Sequence, residues 1–426
     1  MAAITSRKKI RICVIGAGAA GLCAARHLSR DLEKFEAAVF EQDATIGGTW
    51  IYNDNISIDN NNYPIHTSMY KNLRTNIPLK LMNFPDFQLM DQKRPSCGTH
   101  EQVLNYLHDY ANHFQLLQYI QFNTKIQSIK PQMNSENWQQ TTFKVTIEHL
   151  NTQIIEDQIF DAIIICNGHF STPKIPVIIG IETFSGDSMH SHDYRTPEKY
   201  ENKIVIILGA GFSGIDIGVE ISDYAQHVYL SHNNSRLITV LPLNMTEVQG
   251  IESINGNNFI LNDGTIIIAD ALIYCTGYHI TLPFLTDECR IKVIDNRVTP
   301  LYKHLINIEH PKMAIIGLPS HSIPFPLFHY QVQYFLGLLL NRVNLPSKDK
   351  MLEDDNLNGG KYPHKLGQNQ WDYNNYFANA VGVDKLPIFY EIGYNAVYSI
   401  RLTNVLQYKD TEFIVEDDGE TVHVNI

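Results

Sequence analysis

Two stretches of this 426-residue sequence have the residue types and spacing to hold a pyrophosphate. In Gly16-x-Gly18-x-x-Gly21 the first glycine permits a tight turn, the second lets backbone approach an anion, and the third lets helix and strand pack closely. Gly209-x-Gly211-x-x-Gly214 repeats that spacing, with Ala20 and Ser213 inside the two turns. Each anion would rest at the start of the following helix, where unpaired N–H groups and the helix dipole favour negative charge. The two stretches differ further on. Glu41 ends the strand after the first turn, placed to accept hydrogen bonds from ribose hydroxyls. Ser231-His232 stand at the corresponding place after the second. Without a carboxylate there, a ribose 2′-phosphate is not repelled, and Ser231, His232 and Arg236 can pair with it. Arg236 read as a plain solvated surface charge is the alternative. The second turn favours NADPH over NADH.

Other chemistry is sparse. The sequence shows no Ser-His-Asp array, no His/Cys cluster at metal spacing and no obvious paired carboxylates, so no general base and no metal are expected. His321 and His329 read as surface or packing residues. The six cysteines form no Cys-x-x-Cys pair, and most lie in apolar runs where a free thiol behaves as a small hydrophobe. A formal charge of −12 leaves no basic field to neutralise phosphates, which excludes a nucleic-acid partner.

The elements that must position the turns follow one grammar, used twice. Residues 10–41 and 204–231 each read strand, glycine turn, helix, strand, the βαβ unit of a parallel doubly wound sheet. Residues 142–147 and 153–155 look like an antiparallel excursion. Two apolar strands, 160–166 and 269–275, each run into a glycine, Gly168 and Gly277. The fold class is therefore α/β, with two Rossmann-like dinucleotide-binding domains, the second inserted in the first. The expected boundaries are 1–172, 173–279 and 280–426, the last part completing the first domain.

Between the turns lies Phe184-x-Gly186-x-x-x-His190-x-x-x-Tyr194. It is flanked by Cys166-Asn167-Gly168-His169 and by Cys275-Thr276-Gly277-Tyr278, and preceded by Leu73-Arg74-Thr75-Asn76-Ile77-Pro78. Together these resemble the motifs of the flavin-containing monooxygenases over roughly residues 10–280, with a weaker likeness through Gln331. Baeyer–Villiger relatives resemble the pattern too but carry Trp where Tyr194 stands, which favours heteroatom oxygenation. Vertebrate members are longer and end in a hydrophobic anchor. Length and polar end here are more similar to soluble insect members, including those that N-oxygenate plant pyrrolizidine alkaloids of the senecionine type.

The resemblance implies FAD at the first turn and NADPH at the second. NADPH reduces FAD, reduced flavin takes up molecular oxygen as a C4a-hydroperoxide, and one oxygen atom passes to an amine or sulfide. Cofactors carry the hard chemistry, and protein supplies position and water exclusion. By the same resemblance, Gly48, Thr49 and Trp50 lie along the flavin, and Arg74, Thr75, Gly168 and Gln331 lie near it. Thr276, Gly277 and Tyr278, at the end of the second unit, are further cofactor-binding candidates. Asn76 is the one catalytic candidate, its carboxamide able to donate and accept at once. A turn-forming Asn before Pro78 is the alternative. His190 reads either as an acid–base group or as the residue holding the interdomain linker.

No membrane anchor and no signal peptide are read from the sequence. The expectation is a soluble cytoplasmic protein, with secretion and self-association left open. Two rivals share the two-dinucleotide plan. A pyridine nucleotide–disulfide oxidoreductase would need a redox cysteine pair, and none with its spacing exists. A non-catalytic flavin-binding redox sensor would keep the fold and lose turnover.

Overall fold

The computed structural model describes residues 8–56, 58, 63–132, 137–360 and 362–426. Its first sheet is built around Ile10–Ile15, whose β-branched run is covered from both faces. That strand pairs in parallel with Phe35–Phe40 on one side and Ala162–Ile165 on the other. Met313–Ile315 then adds in parallel to Ala162–Ile165, so chain beyond residue 300 completes a sheet begun at residue 10. The short strand Ile120–Gln121 closes one edge, and the antiparallel strands Leu301–Tyr302 and Ile306–Asn307 close the other. In the second sheet Ile204–Leu208 lies between His227–Ser231 and Ala271–Tyr274, with Met245–Val248 and Asp187–His190 outermost, all parallel. These are two Rossmann-like units, the second interrupting the first.

The echo between units is deeper than the sequence suggested. Each inserts a three-stranded antiparallel sheet before its last buried strand. The first comprises Thr124–Gln132, Thr142–His149 and Ile154–Phe160, the second Ile251–Asn255, Asn258–Leu261 and Ile266–Ile268. Phe160 thus ends the excursion and does not begin the strand at 160–166. The chain enters and leaves the second unit side by side, Thr172–Pro173 pairing antiparallel with Tyr278–His279.

The largest core gathers the first glycine helix, Ala19–Ser29, with Pro324–Leu339, whose prolines fit an N-terminal turn lacking intrahelical acceptors for its N–H groups. A second core joins the second glycine helix, Phe212–Ser222, to the C-terminal helix Phe389–Thr403. The hairpin Glu412–Val415/Val422–Asn425 belongs to this core through Phe413, which is buried. The polar, acidic tail is thereby folded against the second unit. Among the described residues no helix is long and apolar enough to cross a membrane.

Candidate active site between the two nucleotide units

At the first turn Gly16 has φ +94°, and a Cβ there would stand 2.7 Å from the Cys166 carbonyl oxygen. A Cβ on Gly21 would stand 1.8 Å from the Gly16 carbonyl oxygen, so helix and strand are as close as backbone allows. Gly18 caps the helix without any side-chain hydrogen bond, and the first intrahelical bond is Leu22 N–H to Gly18 carbonyl at 2.9 Å. The N–H groups of Ala19, Ala20 and Gly21 therefore have no intrahelical acceptor. Gly48 packs behind them, its Cα 3.5 Å from where a Cβ on Gly18 would lie, and starts the turn Gly48–Trp50. The Thr49 carbonyl accepts from Thr67 Oγ1 at 2.9 Å.

Glu41 closes this turn from the strand end. Its Oε2 accepts from Ala17 N–H at 2.6 Å and its Oε1 from Asp43 N–H at 2.8 Å. Burial nevertheless pushes the carboxyl up to about 7. A carboxylate held this way gains further acceptor use only from a ligand's donors.

The second turn repeats the packing, a Cβ on Gly214 falling 1.8 Å from the Gly209 carbonyl oxygen. A Cβ on Gly211 would meet nothing within 4 Å, and Gly211 caps its helix without a side-chain hydrogen bond. Ser213 lies in that first turn. The residues read for the phosphate side have the following partners. Ser231 is fully buried and its hydroxyl donates to the Gln249 carbonyl at 2.8 Å. His232 is buried with Nε2 3.0 Å from Glu247 Oε1, while its Nδ1 accepts from Asn234 N–H at 3.2 Å. Arg236 is 91% exposed, its Nε 4.0 Å from Glu247 Oε2. The acid missing at Ser231 is supplied by the neighbouring strand, where Glu247 sits beside Leu230. Sequence reading missed Glu247 because only sheet register brings it there.

The last buried strand of each unit runs on to Gly168 and to Gly277, and the segments after them pair at Thr172–Pro173 and Tyr278–His279. Asn167 Nδ2 donates to the Thr281 carbonyl at 3.2 Å, and Thr276 Oγ1 donates to the Lys174 carbonyl. His190 is buried with Nε2 3.0 Å from the Gly277 carbonyl oxygen, its Nδ1 accepting from His192 N–H at 3.0 Å, and the Tyr278 ring packs 5.1 Å away. Both imidazole nitrogens are spent on backbone, so His190 holds the junction. Tyr194 is fully buried, its hydroxyl donating to Glu220 at 2.8 Å.

Of the remaining candidates, Asn76 is half-buried, and its Oδ1 accepts from the Tyr408 hydroxyl at 2.8 Å. Arg74, Thr75 and Gln331 lie behind it or elsewhere. Arg74 donates to the carbonyls of Cys97 and Lys409 and to Asp410. Thr75 bonds the Ile77 carbonyl and Gly98 N–H. Gln331 is wholly buried, its carboxamide spent on Gly317 N–H at 2.9 Å and the Tyr373 hydroxyl at 2.8 Å. It fixes the loop after Met313–Ile315. His329 lies 3.1 Å from His27, Nδ1 to Nε2, with Cys23 beside them, a grouping no sequence spacing reveals. Burial lowers the proton affinity of both rings, which suits a neutral hydrogen-bonded pair.

Two uncapped helix N-termini, one with a buried ribose-side carboxylate and one with open space at its middle glycine, fit two dinucleotides. Such a pair defines a protein with two dinucleotide sites. The comparisons narrow the class. Residues 8–242 and 238–386 match the family described as flavin-binding monooxygenase-like. The flavin-containing monooxygenase FMO GS-OX5 of Arabidopsis thaliana is 35% identical over 89% of this chain and 86% of its own. In structure, the S-allyl-L-cysteine S-oxygenase of Allium sativum superposes with a TM-score of 0.86 at 30% identity, covering 97% of each chain. Tmm from Pelagibacter superposes at 0.85 with 26% identity over 97% of this chain and 95% of that one. The chain belongs to the flavin-binding monooxygenase-like family, and it is an FAD- and NADPH-dependent monooxygenase of the N- or S-oxygenating kind.

Proposed function

We propose that this enzyme places one oxygen atom from O2 on a small sulfide or tertiary amine, with Asn76 as the residue that meets the reacting site. The observation that carries the assignment is the Asn76 carboxamide, whose oxygen is held by Tyr408 while its nitrogen has no protein partner among the described residues. When bound, the flavin supplies the redox chemistry and the activation of oxygen. The chain's own residues bind and orient. Gly16, Gly18, Ala20, Gly21, Gly48 and Glu41 hold the flavin's pyrophosphate and ribose, with Thr49, Trp50 and Gly168 along its ring. Gly209, Gly211, Ser213 and Gly214 hold that of NADPH, with Arg236 at its 2′-phosphate and Thr276 to Tyr278 near the nicotinamide. In this reading residues 1–172 and 280–426 form the flavin domain and 173–279 the NADPH domain.

A sulfide is favoured by the likeness to a plant S-oxygenase over nearly the whole chain. The finer reading, an insect-type N-oxygenase of pyrrolizidine alkaloids, rests on the sequence resemblance alone. One panel separates them: NADPH consumption under air with S-allyl-L-cysteine, simple tertiary amines and a senecionine-type alkaloid, with products identified by mass. An S-oxide or N-oxide formed in step with NADPH is expected, and NADPH-driven peroxide release with every candidate would overturn the proposal. Light scattering on the same sample reads self-association. Asn76→Ala and Asn76→Asp should still bind FAD yet release peroxide in place of product. Full coupling in both would remove Asn76 from the chemistry.

A further inference from the structure

We infer that Tyr408 is the positioning residue that fixes the Asn76 carboxamide, so that Asn76 faces the flavin site as a hydrogen-bond donor only. The inference rests on the proposed role of Asn76 and adds what sets its direction. An Asn side chain turns about its last torsion in a broad two-fold well, so its oxygen and nitrogen exchange places at little intrinsic cost. A partner must choose between them. Tyr408 is that partner, 332 residues away in sequence, its hydroxyl donating to Asn76 Oδ1 at 2.8 Å.

A phenol can also accept, so its own surroundings matter. Asn76 Oδ1 is the hydrogen-bond partner of the Tyr408 hydroxyl among the described residues, and the Arg401 guanidinium, a donor only, lies 6.0 Å from the Tyr408 ring centroid. With no other acceptor beside it among the described residues, the phenol proton goes to Asn76 Oδ1. Burial, with the Asp216 charge adding to it, holds that proton far above the ordinary phenol range, so the donor persists at every working pH. The two N–H bonds of Asn76 Nδ2 are then left for an acceptor outside the protein. A reversed amide would present a carbonyl oxygen there and repel electron-rich atoms.

The segment carrying Tyr408 is fastened from both units. Ser96 N–H donates to the Thr411 carbonyl at 3.0 Å and Cys97 N–H to the Lys409 carbonyl at 3.3 Å. Arg74 adds bonds of 2.7 Å to the Lys409 carbonyl and to Asp410. From the other side, Asp216 of the second glycine helix accepts from Lys409 Nζ at 2.6 Å and from the Tyr70 hydroxyl at 2.5 Å. Arg74 thus serves the site by gripping the strap that aims Asn76, which explains why a residue of the same sequence motif is turned away from any ligand.

The experiment compares holoenzymes of wild type, Tyr408→Phe, Asn76→Ala and the double variant. Three readings are taken: melting temperature, the visible difference spectrum of the flavin on adding NADP⁺, and peroxide released per NADPH with a sulfide present. Tyr408→Phe is expected to keep FAD, to alter the difference spectrum in the same sense as Asn76→Ala, and to raise the peroxide share about three- to tenfold, the effect of one lost orienting hydrogen bond. The double variant should be no worse than Asn76→Ala, because both remove one device. A Tyr408→Phe enzyme with wild-type spectrum and coupling, beside an altered Asn76→Ala, would overturn the inference and leave the function standing. Wild-type behaviour of Asn76→Ala would instead remove the role of Asn76 itself, and the inference with it. Should Tyr408→Phe fail to fold, Asn76→Asp, which keeps an acceptor for the phenol but has no N–H to offer, takes its place with the same readings. Its equality with wild type would be equally fatal.

Discussion

The two glycine turns are near copies in backbone and opposites in what surrounds them. Both place a Cβ-free glycine 1.8 Å, by a virtual Cβ, from the carbonyl of the glycine that starts the turn, and both leave a helix start without a side-chain cap. Around the first, a buried carboxylate on the adjoining strand reaches back to the turn itself through Ala17 N–H. Around the second, the adjoining strand ends in a buried serine, and the carboxylate comes from one strand further out, engaged with His232 beside an exposed Arg236. The lesson is that backbone spacing gives the pyrophosphate site, whereas the identity of the dinucleotide is written in side chains that sheet register delivers.

Six substitutions probe this pairing. The largest effect belongs to what the turns share. Gly21→Ala or Gly214→Ala drives a methyl into backbone that no flexible side chain can yield, and each should cost roughly 3 kcal/mol or more, read as loss of folded protein or of melting temperature. Equal damage at both turns is expected, and a tolerated alanine at either would break the likeness.

Next comes Glu41. Burial raises its carboxyl from 4.5 to about 7, so its contribution to stability is full below the unfolded value and lost as pH rises through about 7. Ribose hydroxyls donating to the carboxylate reverse this preference, and FAD binding then releases a proton. FAD affinity should tighten with pH between these values by up to about tenfold per unit and level off above. In Glu41→Gln that slope should vanish and affinity at pH 8 should fall about tenfold, followed by flavin fluorescence. Ser231→Ala, the counterpart in the other unit, should leave NADPH affinity unchanged, because its hydroxyl is committed to Gln249.

The smallest effect sharpens the second turn. Arg236→Ala should raise the KM for NADPH about threefold and leave that for NADH alone, as one solvent-exposed charge-assisted contact requires. Glu247→Gln should move the preference the other way, towards NADPH, by removing a negative charge near the 2′-phosphate.

Much of this was legible in the sequence. Short β-branched runs into Gly16 and Gly209 pointed to both parallel sheets, and the glycine spacing to both cradles, since local sterics decide them. The residues behind the site were not legible. Tyr408 meets Asn76 through tertiary packing, and Glu247 reaches His232 through strand register, neither of which a linear spacing encodes. Arg74, Ser231 and Gln331 were placed by motif or strand position, yet each has its polar atoms committed to protein, which only the packed structure reveals. Strand Thr124–Gln132 was missed because its polar residues dilute the alternation that marks Thr142–His149.

The account stands most directly on where the transferred oxygen comes from. Purified FAD-loaded enzyme is given NADPH and a sulfide under isotopically labelled O2, and the product is weighed by mass spectrometry. One labelled atom in each S-oxide, formed in step with NADPH, is the predicted result. Protein that takes up no FAD, or that oxidises NADPH while every sulfide returns unlabelled and unchanged, would contradict it.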